Sequence, residues 1–263
     1  MAVLMPAIAQ PIVRKITGGD DIALGHFCTI GYMVQAGVAK VTGDVSKSTE
    51  DMELPPALSF LQDTYLSMMV VMIPIYLIPA IAAGPEVVAA SSNGVNYLVY
   101  AFLQSIQFVV GVYVLLAGVR LLLAEIVPAF RGIALRVVPD AVPALDCPVL
   151  FPYAPNAVIV GFISTTVGAV IGMFLFPWVG LAMILPGMLT NFFAGGTAGI
   201  FANAVGGRRG AIIGGVFHGL FITLLPALLL PLLGQYGFQN VTFSDSDVIG
   251  VGLVFGHILN FFH

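Results

Sequence analysis

From residue 155 to residue 205 no side chain carries a formal charge, and a second run, 64–83, carries none either. Such runs fix the surroundings of the chain before they fix its fold, because surface of that length without charge must face lipid or protein interior. The whole chain agrees: 8% of its 263 residues are charged and 59% are hydrophobic, where a soluble domain has about a quarter charged. At about 20 residues per span, the length allows roughly six to eight membrane passes. Open structures satisfy their backbone hydrogen bonds in lipid only as helices, and the alternation of a barrel strand is missing. The expected fold class is therefore all-α, a polytopic transmembrane helical bundle.

Five apolar stretches stand out, at about 64–83, 95–119, 155–176, 178–205 and 211–234, and a shorter one, 248–262, follows. Basic residues alternate between their connections. Lys40 and Lys47 precede the first stretch, Arg131 and Arg136 follow the second, and Arg208 and Arg209 follow the fourth. The connections 84–94, 176–180 and 235–247 have no lysine or arginine. This positive-inside pattern places the basic loops in the cytoplasm and the loop with Asp245 and Asp247 outside.

Two segments do not read as simple spans. Residues 16–39 have Arg14 and Lys15 before them and Lys40 after them, yet are too short to cross twice. Either the segment re-enters and returns, or one flank breaks the charge rule. Residues 186–207 (PGMLTNFFAGGTAGIFANAVGG) are rich in glycine and small polar residues. Irregular backbone at membrane depth is tolerated where protein or a cavity surrounds it, and transporters place binding sites at such breaks. A faint echo links Asp20–His26 with Ser246–His257, each an acidic-apolar run ending in Gly-His.

Asp146 is the sharpest single residue. Pro143, Pro148, Pro152 and Pro155 around it forbid an ordinary helix. A carboxylate in so apolar a segment is costly unless it meets a polar partner or lines a cavity. It reads as an acceptor for substrate hydroxyls, or else as a helix N-cap. His26 offers a ring donor and acceptor in another apolar element and joins Asp146 as a candidate. His218, inside the fifth stretch, reads as structural. The histidines make no metal-ligand set at recognisable spacing, and Cys28 and Cys147 read as buried small hydrophobes. Arg120 and Glu125, five apart, lie on different helix faces and read as interfacial. Gly168/Gly172, Gly210/Gly214 and Gly215/Gly219 have the four-residue spacing that permits close helix packing. No Walker A sequence and no dinucleotide fingerprint occurs, which argues against an ATPase of its own.

Four motifs in order carry a family resemblance: 46–51 (SKSTED), 116–130 (LAGVRLLLAEIVPAF), 142–158 (VPALDCPVLFPYAPNAV) and 195–211 (GGTAGIFANAVGGRRGA). Together they resemble the ascorbate-specific membrane subunit, component IIC, of the bacterial phosphotransferase system, over essentially the whole chain. The resemblance implies a multi-pass permease of the bacterial inner membrane, an inverted-repeat transporter with core and dimerising domains interleaved in residues 1–263. It implies a homodimer, L-ascorbate as solute and no cofactor. Phosphorylation falls to a separate IIB subunit, itself supplied by IIA, so this chain is a transporter subunit and not the enzyme. His26, Phe27 and Asp146 match the family's substrate-contacting positions. Family members have further membrane helices ahead of the stretch that begins here at Gly18, so the chain resembles the C-terminal part of a longer one. The anionic edge of ascorbate would need neutral donors or helix N-termini. Two other readings stand beside this one: an ion-coupled secondary transporter of a small polar solute, with Asp146 and His26 as relay, and a truncated remnant that does not transport. None involves nucleic acid.

Overall fold

The computed structural model describes residues 4–52, 60, 63–138, 142–239 and 241–262. Among the described residues the regular structure is helical, apart from one two-residue strand pair. The chain forms two compact units, 1–52 with 140–263, and 53–139.

The smaller unit is a helical hairpin of α3 (Thr64–Ser92) and α4 (Tyr97–Val137). Asp63 caps α3 by accepting from the N–H groups of Tyr65 and Leu66, both at 2.9 Å. Asn93 and Gly94, both at positive φ, reverse the chain. Met68, Met72, Val109, Val112 and Leu116 are buried between the helices, and Tyr65 meets Tyr113 edge-on at 5.1 Å. The apolar stretch 95–119 is only the first part of α4, which continues past Arg120, Glu125 and Pro128. Hydropathy marks where lipid ends, and a helix need not end there.

The larger unit is built on α2 (Thr29–Thr42), α5 (Pro155–Leu175) and α7 (Gly196–Gln235), joined by α1 (Leu4–Thr17) and α8 (Ser246–Phe262). Before α7 come an irregular stretch from 181 to 187, a single helical turn α6 (Met188–Thr190) and a π-helical turn (Asn191–Gly195). The break expected in 186–207 is therefore real. The end of the stretch 178–205 is not separated from the stretch 211–234 by a loop: residues from Gly196 onward and the later stretch form two legs of α7 that meet at Gly207, at φ 60°. A side chain there would strike the carbonyls of Asp44 and Lys47.

Glycine spacing sets how the helices meet. On the second leg of α7, Gly210 and Gly214 lie against Ala39 and Gln35 of α2, while Gly215 and Gly219 lie against Ser164 and Thr165 of α5. Offset by five residues, about 140° of helical rotation, the two glycine pairs serve two different neighbours. Gly168 and Gly172 answer from α5, against the Val216 carbonyl and Thr223. His218 is fully buried between them, with Nδ1 3.1 Å from the Thr165 hydroxyl. On the outside, Phe174, Trp178, Leu121 and Phe255 are exposed, the apolar surface that the lack of charge requires. Arg120 and Glu125 are also exposed.

Candidate functional site

The segment 16–39 is neither a span nor one helix. It ends α1, runs extended, and becomes α2, whose 14 residues rise about 21 Å, short of a hydrocarbon core about 30 Å thick. Arg14 donates to Asp20 at 2.7 Å and Gln10 to the Ile22 carbonyl at 3.1 Å, which pins the turn after α1. The Arg14 and Gln10 hydrogen bonds hold the Asp20 carboxyl below the usual carboxylate range.

Beyond that turn, Ala23–Leu24 pairs in parallel with Ala144–Leu145. The Ala23 N–H donates to the Pro143 carbonyl at 3.0 Å and the Gly25 N–H to the Leu145 carbonyl at 2.8 Å. A Cβ at Gly25 would sit 3.2 Å from that of Ala144, so glycine lets the two extended segments close on each other. Each segment then delivers its next residue, His26 or Asp146, to the same place. Their Nε2 and Oδ1 atoms are 3.9 Å apart.

Asp146 takes the N-cap role that its sequence context allowed. Its carboxylate accepts from the Cys147 N–H at 2.7 Å and so caps the 3-10 helix Cys147–Tyr153. Its side chain is nonetheless 62% exposed, with a lone-pair face open toward His26. That 3-10 helix is anchored below by Phe151, whose ring meets Phe192 at 5.6 Å and Phe193 at 6.2 Å. His26 is more enclosed, at 19%, and its Nδ1 is hydrogen-bonded to the hydroxyl of Tyr32. Phe27 leaves its ring half exposed, and its carbonyl accepts from the Asp247 N–H at 2.9 Å. His26 and Asp146, singled out from sequence, thus lie together, and Phe27 follows His26 in the chain.

Four neighbours were not legible in the sequence: Tyr32, Cys28, Asp245 and Asp247. Asp247 is a helix residue and not a loop residue. It is fully buried at the start of α8, and its carboxylate accepts from the N–H groups of Thr29 at 3.1 Å and Ile30 at 2.8 Å. The Ser246 hydroxyl accepts from Gly31 at 3.1 Å and donates to Asp247 at 3.2 Å. The N-terminus of α2 is therefore occupied by the protein's own carboxylate and is not free for an anionic solute. Cys28 donates to Asp245 at 3.3 Å. His26, Cys28 and Asp245, and likewise His26, Asp146 and Cys147, bring ligand-type atoms within 4.8 Å of one another, a convergence that sequence spacing did not reveal. The echo between Asp20–His26 and Ser246–His257 has no structural counterpart, since Gly25-His26 is extended and Gly256-His257 is inside α8.

A second polar cluster ties the opposite end of α2 to its neighbours. Asp44 N–H donates to the Gly206 carbonyl at 2.8 Å and Arg208 N–H to the Lys47 carbonyl at 2.7 Å. Asn203 accepts from the Thr49 N–H at 2.8 Å and donates to the Ser48 hydroxyl at 3.0 Å. Glu50 caps α5, accepting from Asn156 at 3.2 Å and Ala157 at 2.9 Å. Lys47, Arg208 and the start of α5 thus belong to one face of this unit.

Extended segments that interrupt membrane helices are breaks of the kind at which transporters place binding sites. The family described as "PTS system sugar-specific permease component" matches residues 1–247, and the chain belongs to it. It is similar to the "Ascorbate-specific PTS system EIIC component" of Mycoplasma pneumoniae, at 24% identity over 230 residues, covering 77% of this chain and 35% of that protein. The chain spans about a third of the length of that curated relative.

Proposed function

We propose that this chain is part of an L-ascorbate permease of the bacterial inner membrane, and that the solute lies against His26, Phe27 and Asp146. The observation that carries this reading is the meeting of His26 and Asp146 at the ends of two paired extended segments drawn from distant parts of the chain. Ascorbate is small, hydroxylated and anionic at neutral pH. A carboxylate that accepts from hydroxyls and an imidazole that donates to oxygen suit its two edges. The similarity to an ascorbate-specific relative supports the choice of solute.

The larger unit then serves as the core that holds the solute and the α3–α4 hairpin as the dimerising domain of a homodimer. The face with Lys47 and Arg208 is cytoplasmic, as the positive-inside pattern requires. Phosphoryl transfer belongs to a IIB subunit, charged in turn by IIA, that docks on the polar loop beginning at Lys40. Exposed Lys47, Asp44 and Asp51 there give a surface of mixed charge for such contact. In purified protein, titration with ascorbate tests the site, and product release with and without phosphorylated IIB tests the division of labour. Phosphorylated product formed without any donor protein would contradict the latter.

A second reading draws on the same geometry. Tyr32, His26 and Asp146 form a chain of ionisable groups, which suits a proton-coupled carrier. Uptake that survives loss of the phosphoryl donors and collapses with the proton gradient would favour it.

A further inference from the structure

A neutral histidine can face a ligand as donor or as acceptor, and its tautomer decides which. Two groups bear on that choice at His26. On one side, the Asp146 carboxylate lies 3.9 Å from Nε2. Asp146 has only lone pairs to offer, so a bare Nε2 would face it with repulsion, while an Nε2 carrying the proton is attracted. On the other side stands Tyr32, fully buried, with its hydroxyl on Nδ1. The Tyr32 ring stacks on the imidazole at 5.8 Å and 11° and is held from behind by Phe201 at 5.4 Å. A buried phenol needs an acceptor for its proton. All these contacts are satisfied together when Tyr32 donates to Nδ1 and the imidazole proton sits on Nε2.

Several other donors of this unit are already engaged. The first N–H groups of α2 bind Asp247 and Ser246, Cys147 N–H binds Asp146, and the start of α5 binds Glu50. Nε2–H is then a donor open to an anionic or carbonyl solute oxygen.

We propose that Tyr32 is a positioning residue that fixes His26 as its Nε2–H tautomer, so that the site selects solutes presenting an anionic or carbonyl oxygen to His26 and a hydroxyl to Asp146. This rests on the reading of His26 and Asp146 as solute contacts. The test uses the whole chain in lipid nanodiscs with ¹⁵N-labelled histidine, His26→Gln assigning the His26 signals. The expected spectrum has the proton on Nε2 and a bare, hydrogen-bonded Nδ1. Tyr32→Phe should move the His26 signals toward mixed tautomers, leave those of His218 in place, and weaken ascorbate binding about tenfold, the scale of one hydrogen bond. A proton on Nδ1 in the unsubstituted protein, or His26 signals unmoved by Tyr32→Phe, would overturn the assignment. If Tyr32→Phe fails to fold, the tautomer of the unsubstituted protein decides alone. Ascorbate binding unchanged by His26→Gln would remove the solute reading and leave the tautomer result standing.

Discussion

Asp247 and Thr29, 218 positions apart in the chain, are joined by a 3.1 Å hydrogen bond from the Thr29 N–H to the Asp247 carboxylate. With Ile30 as second donor, this bond closes the N-terminus of α2 with a fully buried anion. Among the described residues no cation faces it; backbone donors and the positive end of α2 hold its charge. Asp247→Ala would leave both N–H groups buried without an acceptor, at about 1–3 kcal/mol for each. The expected outcome is a steep fall in thermal stability and in the yield of folded protein, measured by fluorescence-detected size exclusion across a temperature ramp. Asp247→Asn keeps one acceptor and should lose less. Stability unchanged in Asp247→Ala would refute the capping role.

Helix packing gives a second expectation. Gly219 has the Thr165 carbonyl and Gly168 directly against it, whereas Gly118 on α4 has open space. Gly219→Val should push α7 off α5 and cost the folded yield, overpacking being worth about 1–3 kcal/mol or more. Gly118→Ala should be neutral or stabilise by roughly 0.5–1 kcal/mol, because alanine loses less backbone entropy. Equal melting behaviour of the two variants would contradict the packing account.

Much of this was legible in the sequence, and the limits have physical causes. Charge-free runs showed the helices, and the prolines around Asp146 showed that its segment could not be one. The glycine spacings foretold close packing, though not that Gly210 and Gly215 face different helices. Gly206-Gly207 did not reveal that two apolar stretches turn directly into each other, because that turn is closed by carbonyls from 44–47. Tyr32 gave no signal, since a tyrosine in an apolar helix has no pattern of its own. Asp247 read as a loop acid because its partners lie at the other end of the chain. Two-residue strands such as Ala23–Leu24 are too short to leave a period.

Glu50 supplies the third test. As the cap of α5 it should be worth about 0.5–2 kcal/mol, so Glu50→Ala lowers the melting temperature while exposed Lys47→Ala leaves it unchanged. Donor docking on this loop predicts the converse for function: Lys47→Ala slows IIB-dependent phosphorylation of ascorbate with no loss of fold. A Lys47→Ala protein with full phosphorylation rate would remove the docking assignment.

Orientation is checked by thiol labelling. In a background with Cys28 and Cys147 replaced, single cysteines at Lys47, Arg131 or Arg208 should resist impermeant reagents added outside intact cells. The side chain of Arg131 lies outside the described residues, as does Asn240, which should label. Labelling at Arg131 and protection at Asn240 would reverse the topology.

The central claim is that His26 and Asp146 hold one solute, and isothermal titration of ascorbate into the purified chain and its variants tests it most directly. Asp146→Asn keeps an N-cap for Cys147, asparagine being as good a cap as aspartate, but removes the charge. It should fold normally and bind ascorbate more weakly by about 1–3 kcal/mol, the scale of hydrogen bonds to a charged group. His26→Ala should lose as much or slightly less, and the double variant less than the sum, as two groups on one ligand require. Folded Asp146→Asn with unaltered affinity, or losses that add in full, would contradict the account.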